Sequence, residues 1–248
     1  MKEHTVELIH GIHALQSALE NHPQNIIEII TVHKPKNPRL EKMINQAQGL
    51  GLRVRHHSMS FINRKCKDKH QGVIAEIKTI KLPDESQLAE TLQGIDNPFV
   101  LILDQIEDPR NLGACLRSAD AAGADIVMFT KHNSAPLTSI AKKTAAGAAE
   151  TLKLFQITNT VNAIKILKDN GVWIAGTDCD EGSTNIYETD LKGSICIIMG
   201  NEGKGIRPLV KKNCDYLIHI PLVGTVQSLN VSVATGITLF EVLRQRDN

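Results

Sequence analysis

Ile197-Ile198-Met199-Gly200-Asn201-Glu202-Gly203-Lys204-Gly205-Ile206, followed by Ile220-Pro221-Leu222-Val223-Gly224-Thr225-Val226-Gln227-Ser228-Leu229-Asn230-Val231, decides how this chain reads. Each stretch is an apolar run that ends in a polar, glycine-bearing loop and then gives way to a helix. Short apolar runs buried on both faces are the mark of parallel strands, and strand-to-loop-to-helix junctions are where open α/β sheets bind ligands. With Glu202, Ser228 and Asn230 at the turns, the two loops read as a site for a small polar ligand.

Working outward, the same alternation runs back to Phe99. Strands are expected over 99–103, 124–129, 152–156, 172–175, 194–199 and 216–220, with helices over 112–122, 138–145, 160–170, 206–212 and 230–245. Residues 98–248 therefore form one α/β domain on a parallel sheet. Residues 81–97 turn polar and acidic, contain Pro83 and Gly94, and read as a linker with a short helix over 86–92. Residues 1–80 alternate again: helix 9–20, strand 26–32, a helix opened by Asn37-Pro38 and stopped at Gly49-Leu50-Gly51, strand 52–55, a helical turn 58–64 and strand 72–77. That pattern is a small α/β sandwich.

Charge separates the two parts. Residues 1–82 carry 13 Lys/Arg against 7 Asp/Glu, and the remainder 15 against 20. The cations fall in the connections of the first part: Lys34 and Lys36; Arg53, Arg55, His56 and His57; Arg64, Lys65, Lys67, Lys69 and His70. Such loops can track a phosphate backbone, and with Phe61 as the one aromatic among them they suit recognition by shape rather than base stacking. A solvated basic face without a partner fits the same residues. No apolar run is long enough to cross a membrane and the first residues lack a signal-peptide core, so the expected location is cytoplasmic. The five cysteines (66, 115, 179, 196 and 214) are scattered, which points to free, buried thiols rather than disulfides or zinc. No clustered His/Cys set suggests a metal. Neither G-x-G-x-x-G nor G-x-x-x-x-G-K-[ST] occurs, which disfavours a dinucleotide enzyme and a P-loop nucleotidase.

Three stretches could carry chemistry. In Asn111-Leu112-Gly113-Ala114-Cys115-Leu116-Arg117-Ser118-Ala119-Asp120-Ala121-Ala122-Gly123, Asn111 reads as an N-cap and Gly123 as the stop. Gly113, one turn before Arg117, leaves room for something to approach the helix; an ordinary helix with a surface arginine is the plain alternative. The loop over 200–206 can offer backbone N–H groups to a carboxylate or to a nucleoside hydroxyl, or can be a simple turn with Glu202 in solvent. Ser228 and Asn230 can serve the site, cap the last helix, or do both. That helix is apolar on more than one side, which implies a second copy covering it, a homodimer, or else full burial within one subunit.

The segments N-L-G-A-C-L-R-S-A-D-A-A-G at 111–123, I-M-G-N-E-G-K-G-I at 198–206 and I-P-L-V-G-T-V-Q-S-L-N-V-S-V-A at 220–234 together resemble the three motifs of the SpoU/TrmH group of SPOUT RNA ribose 2′-O-methyltransferases. I-H-G-I-H-A-L at 9–15 and H-Q-G-V-I-A at 70–75 look like the small RNA-binding domain that precedes the catalytic domain in many members. The resemblance implies a parallel-sheet SPOUT domain with a C-terminal deep trefoil knot, preceded by an L30e/L7Ae-like RNA-binding domain. It implies S-adenosyl-L-methionine as methyl donor, held by Gly200, Ile220 and Leu229 with Met199, Asn201, Gly203, Pro221, Leu222 and Ser228 around it. Arg117, Asn111, Glu202, Ser228 and Asn230 match the polar catalytic positions. The substrate it implies is a guanosine of 23S rRNA near the peptidyl-transferase region; the alternatives are a tRNA ribose methyltransferase and a non-catalytic ribosome-assembly factor.

Overall fold

The protein is described from a computed structural model, which covers residues 4–247 apart from 22, 34, 36, 68, 81, 180 and 181. Lys34 and Lys36, counted above among the cationic loops, lie outside the described residues. The chain divides into two units, Met1–Lys81 and Leu82–Asn248.

The first unit contains β1 (His4–His10), α1 (Ile12–Asn21), β2 (Ile26–Val32), α2 (Pro38–Gly49), β3 (Val54–His57), α3 (Met59–Lys65) and β4 (Val73–Ile80). Its sheet runs β1-β4-β2-β3, antiparallel except for β2 with β3. The expected first helix was set too early. Residues 4–10 are an edge strand, and the chain turns into α1 at Gly11, whose φ of +87° suits a residue without a Cβ. Strand alternation sorts the core: Ile29, Val73 and Ala75 face α1 and α2, while Ile30 and Ile74 face Ile62 and Cys66 of α3 and its end. Asn37 caps α2 with Pro38 at its first position, as expected, its Oδ1 accepting from Arg39 N–H at 2.9 Å. Part of the positive charge is answered within the unit. Arg53 and Arg55 both pair with Glu28, at 3.0 and 2.9 Å.

The second unit contains α4 (Leu88–Leu92), β5 (Phe99–Leu103), α5 (Pro109–Ala121), β6 (Ile126–Thr130), α6 (Ser139–Ala145), α7 (Ala148–Thr151), β7 (Lys153–Ile157), α8 (Thr160–Asp169), β8 (Trp173–Thr177), β9 (Thr184–Asn185), β10 (Ile195–Met199), α9 (Pro208–Lys211), β11 (Tyr216–His219) and α10 (Val231–Arg246). The sheet order is β7-β6-β5-β10-β8-β11-β9, and every pairing is parallel. β5, FVLIL, is buried along its whole length. Phe99, Leu101 and Leu103 pack towards α5, α6, α7 and α10, and Val100 and Ile102 towards α4, α8 and α9. Each such side chain contributes roughly 1.5–3 kcal/mol, so the three-layer arrangement stands on the central strands.

The stretch expected to be a linker is packed. Leu88 and Leu92 are buried in the second unit's core, and Glu85, 8% exposed, accepts from the Thr158 hydroxyl and from the N–H groups of Thr158 and Asn159. Burial pushes the Glu85 carboxyl up, but those hydrogen bonds outweigh it and hold it below the usual carboxylate range.

Candidate active site

The loop after β10 is folded back on itself. Asn201 N–H donates to Gly205 O at 3.1 Å and Gly205 N–H to Asn201 O at 2.9 Å, a two-bond bridge across the turn. A Cβ on Gly200 would sit 2.3 Å from the Gly205 carbonyl carbon and 2.4 Å from Ile206 N. The loop's own backbone therefore requires that glycine. The Asn201 side chain is fully engaged: Oδ1 accepts from Gly203 N–H at 3.0 Å, and Nδ2 donates to Gln105 O at 3.0 Å and Glu107 Oε1 at 3.2 Å.

Beyond the turn, Arg207 anchors the loop to the sheet. Its Nε and Nη2 donate to Asp104 Oδ2 and Oδ1 at 2.9 and 2.7 Å, and Nη2 also reaches Thr160 Oγ1 at 2.9 Å. Asp104, 1% exposed at the end of β5, further accepts from the Thr160 hydroxyl at 2.8 Å. This bidentate pairing raises the Arg207 guanidinium and makes the Asp104 charge tolerable in the interior.

Between this loop and the one after β11 lies a cavity of about 400 Å³. Its apolar wall is Ile186, Met199, Ile218, Ile220, Leu222 and Leu229; its polar wall includes Thr177, Asp178, Asn201, Glu202, Gln227 and Ser228, with Gly200 and Gly203. Of the residues expected to hold the donor, Gly200, Ile220, Leu229, Met199, Asn201, Gly203, Leu222 and Ser228 all line it, and Pro221 does not. Asp178, 9% exposed, lies 2.5 Å from Lys211 Nζ in the same wall. The Thr238 hydroxyl, also in the wall, is buried without a hydrogen-bond partner among the described residues. A slot that is apolar on one side and carries an unanswered buried hydroxyl suits a nucleoside.

Asn111, Glu202 and Asn230 meet although 91 and 119 residues separate Asn111 from the other two. Asn111 Nδ2 donates to Glu202 Oε1, and Asn230 Nδ2 donates to Asn111 Oδ1 at 3.3 Å. Asn230 also caps α10, its Oδ1 accepting from Ser232 N–H at 2.9 Å. The expected capping role of Asn111 is corrected. α5 begins at Pro109, Asp108 is its cap through a 2.8 Å bond from Arg110 N–H, and Asn111 is left to join Glu202. The room expected at Gly113 is taken by a neighbouring helix. A Cβ there would lie 2.3 Å from Ala141 O, so the bare position admits α6 rather than a ligand. Arg117 is exposed on α5 and stands outside both the cavity wall and the Asn111–Glu202–Asn230 set.

Two family descriptions match the chain: SpoU rRNA Methylase family over residues 98–240, and RNA 2′-O ribose methyltransferase substrate binding over residues 8–83. The chain belongs to the SpoU rRNA methylase family. Among its relatives is the 23S rRNA (guanosine-2′-O-)-methyltransferase RlmB of Shewanella oneidensis, 46% identical over 97% of this chain and 98% of that protein. The Escherichia coli protein of the same name is 42% identical, again over 97% of this chain, and covers 99% of its own length. Among solved structures, an AdoMet-bound rRNA methyltransferase from Sinorhizobium meliloti matches with a TM-score of 0.60 and 25% identity, covering 96% of this chain and 87% of that one. The SpoU methyltransferase AviRb from Streptomyces viridochromogenes, solved with AdoMet, matches in fold with a TM-score of 0.61, 18% identity, and coverage of 97% and 90%.

Within this SpoU member, the sequence reading missed Asp104, Thr160 and Arg207, which fix the loop, and Asp178, Lys211 and Thr238, which complete the cavity. Asp104 had a signal: a charge directly after five apolar residues, at the carboxyl end of a central strand. Thr238 had none, since a hydroxyl within a helix looks the same whether it faces a cavity or a neighbour.

Proposed function

We propose that this protein transfers a methyl group from S-adenosyl-L-methionine to the ribose 2′-hydroxyl of a guanosine in 23S rRNA. What carries the reading is the convergence of Asn111, Glu202 and Asn230 beside a nucleoside-sized cavity, in a chain 46% identical over nearly its full length to a relative named for that reaction.

Ile220, Leu222 and Leu229 give the purine an apolar face, and the loop backbone from Met199 to Gly203 with the Thr238 hydroxyl offers polar partners. When bound, S-adenosyl-L-methionine supplies an electrophilic methyl on a sulfonium. The chain's task is then to place a hydroxyl in line with that methyl and to stabilise the oxygen as its proton leaves. Glu202, Asn111 and Asn230 hold the two loops in register around the ribose, with Ser228 on the cavity side. Arg117 enters as a planar fork of N–H donors rather than as a base. It grips the adjacent RNA phosphate and stabilises the developing alkoxide, and the proton passes to water.

The protein works as a homodimer. Ala114, Arg117, Ser118 and Ala121 form one accessible strip of α5, and Val233, Gly236, Ile237 and Phe240 form one of α10, with Val233 51% and Phe240 49% exposed. The strips are neighbours, since a Cβ on Gly236 would lie 3.7 Å from Ser118 Oγ. A second copy covering them places Arg117 at the seam. In the same reading the C-terminal segment threads the chain as a deep trefoil knot. This is supported by α10 packing on α5 and β10 while the Gln245 amide accepts from Leu191 N–H at 2.9 Å and donates to Thr189 O at 3.1 Å. The first unit is the L7Ae-like rRNA-binding module, offering Arg64 over the Phe61 ring at 5.7 Å and His57 stacked on the same ring at 4.0 Å. Its workplace is the cytoplasm, beside the rRNA.

The test is to map ribose methylation in 23S rRNA from cells with and without the gene, then to supply the purified protein with that rRNA and tritiated donor. One guanosine gains the mark only when the protein is present. Arg117→Ala lowers turnover by about a hundredfold or more, and Arg117→Lys does not restore it. Modification of tRNA instead of 23S rRNA would overturn the substrate, and near-wild-type turnover by Arg117→Lys would overturn the phosphate grip.

A further inference from the structure

The mechanism above uses one cleft, and the second unit has another. Gln105, Glu107, Asn133, Ser134 and Lys204 line an open, strongly polar cleft to which no role has been given. Gln105 and Glu107 follow β5, Asn133 and Ser134 follow β6, and Lys204 follows β10. From β5 the chain builds β6 and β7 outward on one side, and β10, β8 and β11 lie on the other. The cleft therefore opens at the switch point of the parallel sheet, where such folds bind ligands. Lys204 lines both this cleft and the donor cavity, so the two meet at the loop after β10.

The lining is held in place at some conformational cost. Gln105 and Asn133 have φ of +63° and +54°, in the left-handed region that side-chain-bearing residues seldom adopt. Gln105 is fixed there from two directions: its N–H donates to Thr130 Oγ1 at 3.0 Å, and its carbonyl accepts from Asn201 Nδ2 at 3.0 Å. The same Asn201 amide also donates to Glu107 Oε1 at 3.2 Å, so one side chain of the donor loop sets the position of both residues.

The chemistry of this lining selects among nucleobases. A carboxylate accepts only, and its two oxygens match two adjacent donors. Guanine presents that pair, N1–H and N2–H, next to the O6 acceptor, which an ammonium or a carboxamide N–H can answer. Adenine turns a lone pair at N1 towards the carboxylate and is repelled. We infer that this cleft seats the base of the acceptor guanosine, with Glu107 reading its N1–H and N2–H edge and Lys204 facing its O6 side. The inference rests on the guanosine methyl-transfer reading and deepens it: the base sits on one side of the loop after β10 and the donor on the other, with the ribose between them.

The test compares the wild-type chain with Glu107→Gln on three transcripts of the 23S substrate, carrying guanosine, inosine or adenosine at the mapped position. Donor uptake by calorimetry serves as the fold control, and glutamine retains the oxygen that accepts from Asn201. Wild-type protein is expected to prefer guanosine to adenosine strongly and to lose between about fivefold and about a hundredfold in kcat/KM on inosine, which lacks N2–H. Glu107→Gln is expected to lose a similar factor on guanosine, to show little difference between guanosine and inosine, and to bind the donor as before. An unchanged guanosine-to-adenosine ratio in Glu107→Gln overturns this inference alone. Absence of transfer by the wild-type chain overturns the reading beneath it.

Discussion

The two loops that wall the proposed donor cavity are built in opposite ways. The one after β10 is closed by its own backbone bridge, by the Asn201 side chain and by the Arg207–Asp104–Thr160 anchor. In the one after β11, residues 221–229 make no backbone-to-backbone hydrogen bond among the described residues, and Val223 and Val226 are 103% and 62% exposed. The first loop is a preformed wall whose stability belongs to the fold. The second gains its order largely from what it covers, so donor binding has to supply the free energy of fixing it. Changes in the first loop should therefore appear in stability as well as in affinity, and changes in the second in affinity alone.

The largest effect expected is at the anchor. Arg207→Met leaves the Asp104 carboxylate buried without its cation and should lower unfolding free energy in urea by about 3 kcal/mol, the low end for a broken buried pair because Arg207 itself is half exposed. A loss below about 1 kcal/mol would mean that the loop does not depend on the anchor. Gly200→Ala drives a methyl into the Gly205 and Ile206 backbone and should cost about 2 kcal/mol or more while abolishing measurable donor uptake. Leu222→Ala, in the second loop, should weaken donor binding about tenfold and leave the urea midpoint within the roughly 0.5 kcal/mol of an ordinary surface change. If Leu222→Ala destabilises as Arg207→Met does, the contrast between the loops is wrong.

The smallest effect is away from both loops and depends on pH. The folded Glu85 carboxyl is held below its unfolded value, so the fold favours its charged form. Its contribution is fully present above the unfolded carboxylate range, about pH 4–5, and is lost as pH falls through the lowered folded value. Urea unfolding of wild type and Glu85→Gln should differ by about 1 kcal/mol at pH 7 and converge on acidification. A gap that widens towards low pH would reverse the assigned direction.

Legibility in the sequence followed the same division between local and tertiary causes. The runs at 26–32 and 99–103 became strands with those bounds, because β-branched and aromatic residues buried on two faces leave little choice. Asn37-Pro38 announced its helix, and Asp108-Pro109 carries the same signal, which the more polar-looking Asn111 obscured. β1 was lost because an edge strand with one partner has little apolar pattern of its own, and the two residues of β9 count as a strand through their pairing with β11. At the site, the motifs supplied Asn111, Glu202 and Asn230 but not their contact, which exists only once β10 lies beside β5. Gly113 read as room for something to approach the helix, and what approaches is α6; Gly200 lines the cavity as expected, and its missing Cβ also admits the loop's own return.

The most direct measurement is calorimetric titration of S-adenosyl-L-methionine into the full-length wild-type, Gly200→Ala and Leu222→Ala chains. The account predicts uptake by wild type, weakened uptake by Leu222→Ala and none by Gly200→Ala. Absence of uptake by the wild-type chain, or affinity unchanged in both variants, would contradict the claim that these two loops hold the donor.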